Sequence, residues 1–295
     1  MPGVEVSHGF NNVDLHNHST ASDGLLAPAA LIALAARNGC DTIALTDHDT
    51  TVGLAHAAAA AGEHEIRFIP GVEISVSWTA GIDARSTTLH IVGLNIDPGA
   101  AALRAGLDAI RDGRLTRGQR IADEFAKIGV HGLFDDAYAL ANNKDMLGRT
   151  HFARALVARG LVKDVGRAFT RYLTPGNPGY VAHQWASLVD AITWIRAAGG
   201  VAVIAHPGRY RLDATQRVAL FDEFKSLGGE AIEVVTGSHK PREYLEFAAV
   251  ARRYGFLASR GADFHAVGES DFEPGLIAAL PTDLTPVWSL FRERQ

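Results

Sequence analysis

Two histidines, His16 and His18, stand two residues apart in the run VDLHNHSTASDG, and Asp23 follows five residues after the second. Side chains at i and i+2 of an extended strand point to the same face, so both imidazoles can serve one site. The pattern recurs along the chain. DTIALTDHD offers Asp47, His48 and Asp49, IPGVEISV offers Glu73, and TTLHIVGL carries His90. VAVIAHP brings His206, and ASRGADFH ends in Asp263 and His265. Histidine and carboxylate without cysteine suit Zn2+, Mn2+ or Fe2+ in sites that keep open coordination positions. Leaving aside Asp47 and Asp49, nine such residues are too many for one ion, so two or three clustered ions fit better, with Glu73 a natural bridge. Any one strand-end histidine more often packs or meets solvent. The whole set is harder to explain by packing, because burying imidazoles and carboxylates without partners is costly.

Placing these residues together requires strands that all end at one place. NNVDLH, CDTIALTDH, EIRFIPGVEISV, TTLHIVGLNI, VAVIAH, EAIEVVTGSH and FLASRGADFH read as strands. Helical patterns separate most of them, including Ala27–Arg37, opened by Pro28, and Val52–Ala61. Strand–helix alternation predicts a parallel α/β architecture. About seven strands suggest closure into a barrel, whose C-terminal strand ends gather active sites. A doubly wound open sheet is the alternative. Residues 101–185 break the rhythm: Ala101–Ile128 and Thr150–Leu161 look helical, and TPGNPGYV leads back. The expected organisation is a metal-binding barrel from 1–100 and 186–295, with 101–185 as a helical insertion capping the substrate.

Composition narrows the class. A 295-residue chain with 47% hydrophobic and 21% charged residues is an ordinary globular protein. Its net charge of −5 argues against simple coating of nucleic acid. From Arg104 to Arg171, however, 13 Lys and Arg face 8 Asp and Glu, a net of +5, which suits an anionic substrate or merely solvated helices. The single cysteine, Cys40, excludes an intrachain disulfide and fits a reducing cytoplasm. MPGVEVSHGFNN lacks the basic start and apolar run of a secretory signal, and no apolar stretch approaches membrane-spanning length, so a cytoplasmic protein with no membrane association is expected.

HNHSTASDG, TDHD, GVE, the isolated strand histidine, IAHP and ADFH, in this order, closely resemble the motifs of the polymerase-and-histidinol-phosphatase (PHP) family, from Val13 to about Ala266. The resemblance implies a distorted seven-stranded β/α barrel and a trinuclear metal site. Carried over motif by motif, His16, His18, Glu73 and Asp263 would hold one ion, and Glu73, His90 and His206 a second. Asp23, His48 and His265 would hold the third. Asp23 stands where some members have histidine, which favours Mn2+. The ASDG turn and the helical insertion look most like the branch of nucleoside 3′,5′-bisphosphate phosphatases, members of which also act as 5′-to-3′ exoribonucleases on short RNA.

The chemistry so implied is metal-assisted hydrolysis of a phosphate ester, such as adenosine 3′,5′-bisphosphate to AMP. Its candidate catalytic groups are His206, His265 and Asp263, the imidazoles as proton carriers if the metals leave them free. Asp14, Asp47 and Asp49 are candidates to orient imidazoles, or else turn and helix-cap residues, the cap being favoured for Asp49. Arg149, at an expected helix start in GRTHFAR, is the foremost candidate for the distal phosphate, followed by Lys144 and Arg154. His151 could touch substrate or pack, His239 could support a ligand, and Arg159 reads as a solvated helix residue. His8, His56, His64, His131 and His183 read as surface or structural. Trp78, Tyr180 and Trp185 could stack a base, although such aromatics usually just pack. The substrate is expected to be a nucleotide or short RNA, with no obligate protein partner. The alternatives are another phosphomonoesterase on this scaffold, for histidinol phosphate or a similar small molecule, and a metal-binding module without turnover.

Overall fold

Alternation within the strands separates a barrel interior from a helix-covered exterior. The computed structural model describes residues 12–81 and 86–291. The expectation for His8 and the opening segment lies outside these residues. β1 (Val13–Asp14) is followed by helix α1 (Pro28–Arg37), β2 (Thr42–Leu45), α2 (Leu54–Glu63), β3 (Arg67–Trp78) and β4 (Thr87–Leu94). Pro28 opens α1, where its missing N–H costs nothing. Then come α3 (Ala101–Arg111), α4 (Arg114–Lys127), α5 (Leu133–Leu140), α6 (Arg149–Ala158) and the short α7 (Val165–Ala168), which runs into a π-turn at Phe169–Leu173. α8 (Leu188–Ala197), β5 (Val201–Ile204), α9 (Ala214–Ser226), β6 (Ala231–Thr236), α10 (Pro241–Tyr254) and β7 (Leu257–Gly261) complete the frame.

The seven strands form one sheet in chain order. β1, β2 and β3 are parallel, as are β5, β6 and β7. β4 runs antiparallel to both β3 and β5, which departs from the all-parallel expectation. The reason is the connection: residues 79–86 are too few for the crossover a parallel pair needs. The edges then meet. The Leu15 amide donates to the Arg260 carbonyl (2.9 Å), the Asp263 amide to His16 (2.8 Å) and the His18 amide to Phe264 (2.9 Å). The sheet thereby curls towards a barrel.

Val13, Ala44, Ile69, Val92, Val203 and Ala231, one from each of β1 to β6, fill the interior with Val287 and Phe291. Their strand neighbours Ile43, Ile74, Ile91, Ile204 and Ile232 face the covering helices. His90 is two residues from Val92, so it shares the interior face. Because β4 is reversed, this candidate ligand lies in the first half of its strand rather than at its end.

The inserted helices have their own core around Phe125, Leu133, Phe152, Leu156 and Leu173. That core begins later than residue 101. Leu103, Leu107 and Ile110 of α3 belong to the barrel's outer core, where Gly106 lies against Trp194 of α8. α3 is therefore a barrel helix. Among the described residues no helix is long and apolar enough to cross a membrane.

Candidate active site

The segment after β1 builds the first part of the site. Asn17 turns towards the sheet: its amide donates to Thr46 Oγ1 (3.0 Å), and its side chain donates to Asp14 Oδ1 (2.9 Å). His16 and His18 consequently face the opposite way, both fully buried. Glu73 of β3 lies at the centre. Its Oε1 is 2.9 Å from His90 Nδ1, 2.9 Å from His206 Nε2 and 3.4 Å from His16 Nε2. Its Oε2 is 2.9 Å from His48 Nδ1 and 3.3 Å from His18 Nε2. Asp263 Oδ1 reaches His18 Nε2 (3.3 Å) and His16 Nε2 (3.6 Å). Asp23 Oδ1 stands 3.5 Å from His265 Nε2, and its Oδ2 is 3.9 Å from His48 Nε2.

All nine sequence candidates thus converge on one mouth of the barrel. Their donor atoms form overlapping groups, each within 4.8 Å: His18, Asp23, His48 and His265; His16, His206 and Asp263; His16, His18 and Glu73; and His48, Glu73 and His90. His18 joins the Asp23 group, and His206 groups with His16 and Asp263 while lying 2.9 Å from Glu73, so the grouping is more interwoven than the motif-by-motif division.

The donor set suits divalent ions. Among the described residues, His18 Nδ1, Asp23 Oδ1, His48 Nδ1, Glu73 Oε2 and His206 Nδ1 are buried without a hydrogen-bond partner. Buried polar atoms ordinarily have one. His48 Nδ1 and Glu73 Oε2 are near each other but misaligned for a hydrogen bond, and His16 Nε2 and His18 Nε2 face each other at 3.1 Å. Converging lone pairs of this kind call for a shared cation.

Electrostatics points the same way. Burial, joined by the Arg209 charge, pushes His206 down to about 3. Burial, joined by the neighbouring His18, pushes His265 down to about 4. Both rings are therefore neutral, the form that binds metal. Burial also opposes charge on His48, but Glu73 and Asp23 outweigh it and raise the ring to about 9. Burial likewise opposes charge on His16, but Glu233, Glu73 and Asp263 outweigh it and raise the ring well above its ordinary range, so the carboxylates of the cluster draw positive charge towards themselves. The backbone is strained at two of these residues. His206 (φ 27°) and Asp263 (φ 52°) occupy the left-handed region that non-glycine residues avoid.

The three aspartates weighed as imidazole orienters or as turn and cap residues tie loops and strands together. Asp14 accepts from the Ala262 (2.9 Å) and Gly275 (2.8 Å) amides and joins the ends of the sheet. Asp47 accepts from the Ser19 amide (2.7 Å) and the Ser19 (2.7 Å) and Ser22 (2.5 Å) hydroxyls, which pins the loop carrying Asp23. Asp49 is not a helix cap, because α2 starts at Leu54 after Gly53. Its carboxylate accepts from the Ser75 amide (2.7 Å) and hydroxyl (2.9 Å) and pairs with Arg114. The group that orients an imidazole is Glu233, which is not among the sequence candidates. Its Oε1 lies 2.6 Å from His16 Nδ1, and its Oε2 accepts from the His206 amide (2.5 Å). The available signal was a carboxylate amid the apolar run of β6.

The cluster opens into a cleft of about 310 Å³ bounded by the insertion, lined among others by Arg114, Arg117, Arg149, Thr150, Phe169, Trp185 and Arg209. Arg149 is the first residue of α6, as expected, and donates to the Leu173 carbonyl (3.2 Å). Lys144 and Arg154 do not line the cleft. Lys144 donates to the Tyr138 carbonyl (2.6 Å), and Arg154 grips Glu269 and the Asp23 carbonyl. His151 packs: it is buried, and its Nδ1 accepts the Gly148 amide (3.1 Å) at the start of α6. His239 supports the turn after His206, accepting the Gly208 amide at Nε2 (2.9 Å). Trp78 is buried and donates to Glu223 (2.8 Å). Of the proposed stacking aromatics only Trp185 lines the cleft, with the Arg114 and Arg117 guanidiniums 4.9 and 5.1 Å from its ring centre. Arg117 and Arg209 do not stand out in the sequence, where they are ordinary charges in polar stretches.

Residues 14–160 match the family model of the PHP domain. A 3′,5′-nucleoside bisphosphate phosphatase from Chromobacterium violaceum is 50% identical over 94% of this chain and 95% of its own length. The chain belongs to the PHP domain family. The 5′-3′ exoribonuclease Rnm of Escherichia coli is 38% identical over 96% of this chain and 94% of its own. Among solved structures, an amidohydrolase from Chromobacterium violaceum with bound sulfate and no metal superposes with a TM-score of 0.90 at 50% identity, covering 95% of each chain. A protein of Bifidobacterium adolescentis described as a metal-dependent phosphoesterase superposes with a TM-score of 0.76 at 27% identity, covering 93% of this chain and 92% of its own.

Proposed function

We propose that the chain is a cytoplasmic, metal-dependent phosphoesterase that removes the 3′-phosphate of nucleoside 3′,5′-bisphosphates, with accompanying 5′-to-3′ exoribonuclease action on short RNA. The observation that carries this reading is the polarity of the cleft. One wall is the cluster of imidazoles and carboxylates. Another presents Arg117 and Arg149, which among the described residues bond to main-chain carbonyls and to no carboxylate. Burial, together with the Arg149 and Arg114 charges, pushes Arg117 down to about 9, a measure of how poorly its charge is compensated. A substrate with two phosphates satisfies both walls: the scissile group at the cluster, the distal group on the arginines. The resemblance to a bisphosphate phosphatase over nearly the whole chain supports the same substrate class.

The ligand assignment is His16, His18, Glu73 and Asp263 for one ion, Glu73, His90 and His206 for a second, and Asp23, His48 and His265 for a third. Mn2+ is favoured over Zn2+ or Fe2+ because of the carboxylate at Asp23. Divalent ions supply Lewis acidity to phosphoryl oxygens and lower the pKa of water. The chain's own part is to hold neutral imidazoles in place, to keep Glu73 between them and to seat the distal phosphate on Arg149 and Arg117. Arg209 donates to Asp263 Oδ2 (2.9 Å) and is half exposed to the cleft, within reach of the scissile group.

The test is phosphate release from adenosine 3′,5′-bisphosphate by the purified protein with added Mn2+, with the remaining nucleotide identified. Rapid formation of AMP, abolished in His16→Ala, is expected. No release with Mn2+, Zn2+ or Mg2+ would overturn the assignment and direct the search to other phosphate esters.

A further inference from the structure

Helix α6 belongs to the insertion, yet it grips the two loops that carry Asp23 and His265. Thr150 Oγ1 donates to Asp23 Oδ2 at 2.8 Å. One turn later, Arg154 Nη1 donates to the Asp23 carbonyl at 2.7 Å. Residues four apart share a helix face, so one face of α6 holds both ends of this aspartate. Arg154 also clasps Glu269 through Nε (3.0 Å) and Nη2 (2.7 Å). Glu269 lies in the loop after β7, where Ser270 Oγ accepts the His265 amide at 2.8 Å.

The consequence falls on the two oxygens of Asp23. Oδ2 is taken by the threonine hydroxyl. Oδ1 is buried and has no hydrogen-bond partner among the described residues, 3.5 Å from His265 Nε2 and 4.0 Å from His18 Nδ1. A carboxylate on a loop can rotate about its Cβ–Cγ bond and offer either oxygen. Here a donor from another part of the chain selects one.

We propose that Thr150 is a positioning residue for the ion held by Asp23, His48 and His265, and that α6 completes this third metal position by committing Asp23 Oδ2 to the protein and Oδ1 to the metal. The inference rests on the reading that Asp23 is a metal ligand. Under it, the insertion is part of the metal centre as well as a cover for the substrate. The effect is confined to the third ion, because α6 makes no such hydrogen bond to His16, Glu73, His90 or His206 among the described residues.

Mn2+ bound per chain, measured by equilibrium dialysis over a range of free Mn2+, tests this on the full-length protein. Thr150→Val keeps the shape and removes the donor, Thr150→Ser restores the hydroxyl, and Asp23→Asn marks the ion that depends on this carboxylate. Circular dichroism and melting temperature report whether each variant folds. Thr150→Val should weaken the ion lost in Asp23→Asn by about 10-fold or more while leaving the others as in wild type, the scale expected for the partner of a metal ligand. Thr150→Ser should recover it. Wild-type binding of every ion in folded Thr150→Val, or equal weakening of all ions, would overturn the role of Thr150. Wild-type stoichiometry and affinity in Asp23→Asn would instead overturn the underlying ligand assignment, and the proposal with it.

Discussion

Nδ1 of His16 and Oε1 of Glu233 meet at 2.6 Å across 217 residues of chain. The contact fixes the ring: with Nδ1 on the carboxylate, Nε2 is turned towards Glu73 and Asp263. Glu233 also accepts the His206 amide, so one buried carboxylate aligns two candidate ligands. Glu233→Gln should therefore lower metal affinity about 10- to 100-fold, as removal of a ligand's partner typically does. Metal titration of purified protein would show it. Unchanged affinity would mean that packing alone holds His16.

Arg149 should act on the substrate and not on the metals. With Arg149→Ala, kcat/KM for adenosine 3′,5′-bisphosphate should fall about 10- to 100-fold, the worth of a hydrogen bond to a charged group. A generic monoester such as p-nitrophenyl phosphate, which has no distal phosphate, should react as before. Equal losses on the two substrates would remove Arg149 from the distal-phosphate seat.

His151 links stability to pH. Burial, with the Arg154 and Arg114 charges acting against Asp23, pushes this ring from 6.5 down to about 4. The folded chain therefore refuses a proton that the unfolded chain accepts between those values. Its contribution, about 3 kcal/mol if the whole shift is realised, is fully present above pH 6.5 and is lost as pH falls from 6.5 through 4. Denaturant titrations at several pH values should show a shallower decline in His151→Asn than in wild type over this window. Parallel curves would mean that the ring is protonated in the folded state.

Gly261 tests the closure of the sheet. A Cβ there would lie 2.3 Å from His16 Cβ and 2.5 Å from the His16 amide nitrogen. Neither can yield without moving β1 from β7. Gly261→Ala should cost about 3 kcal/mol or more, at the upper end of overpacking effects. Thermal denaturation would reveal it, and a melting temperature equal to wild type would contradict so close a contact.

Much of this was legible in order along the chain. The strands around VDLH, TIAL, VEISV, LHIVGL, VAVI, AIEVV and LASRG lie where hydrophobic runs end in polar loops, and all seven enter the sheet. Those runs and the loops that follow them also carried the nine residues that meet at the barrel mouth. Three features were not legible. The reversal of β4 depends on what an eight-residue connection can span. The assignment of α3 to the barrel depends on which face meets Trp194. The roles of Glu233, Arg117 and Arg154 depend on partners far away in sequence.

The sequence by itself determined the donor chemistry and the local periodicity, because residue type and spacing are properties of short segments. Imidazole and carboxylate side chains on alternating positions would face one way on any strand. Which oxygen of Asp23 is free, which carboxylate turns His16, and whether an aspartate orients a ring or pins a loop were decided only by the fold. A hydrogen bond needs its two atoms within about 3 Å and in line. Only closure of the sheet and docking of α6 bring Glu233 to His16 and Thr150 to Asp23 over such separations.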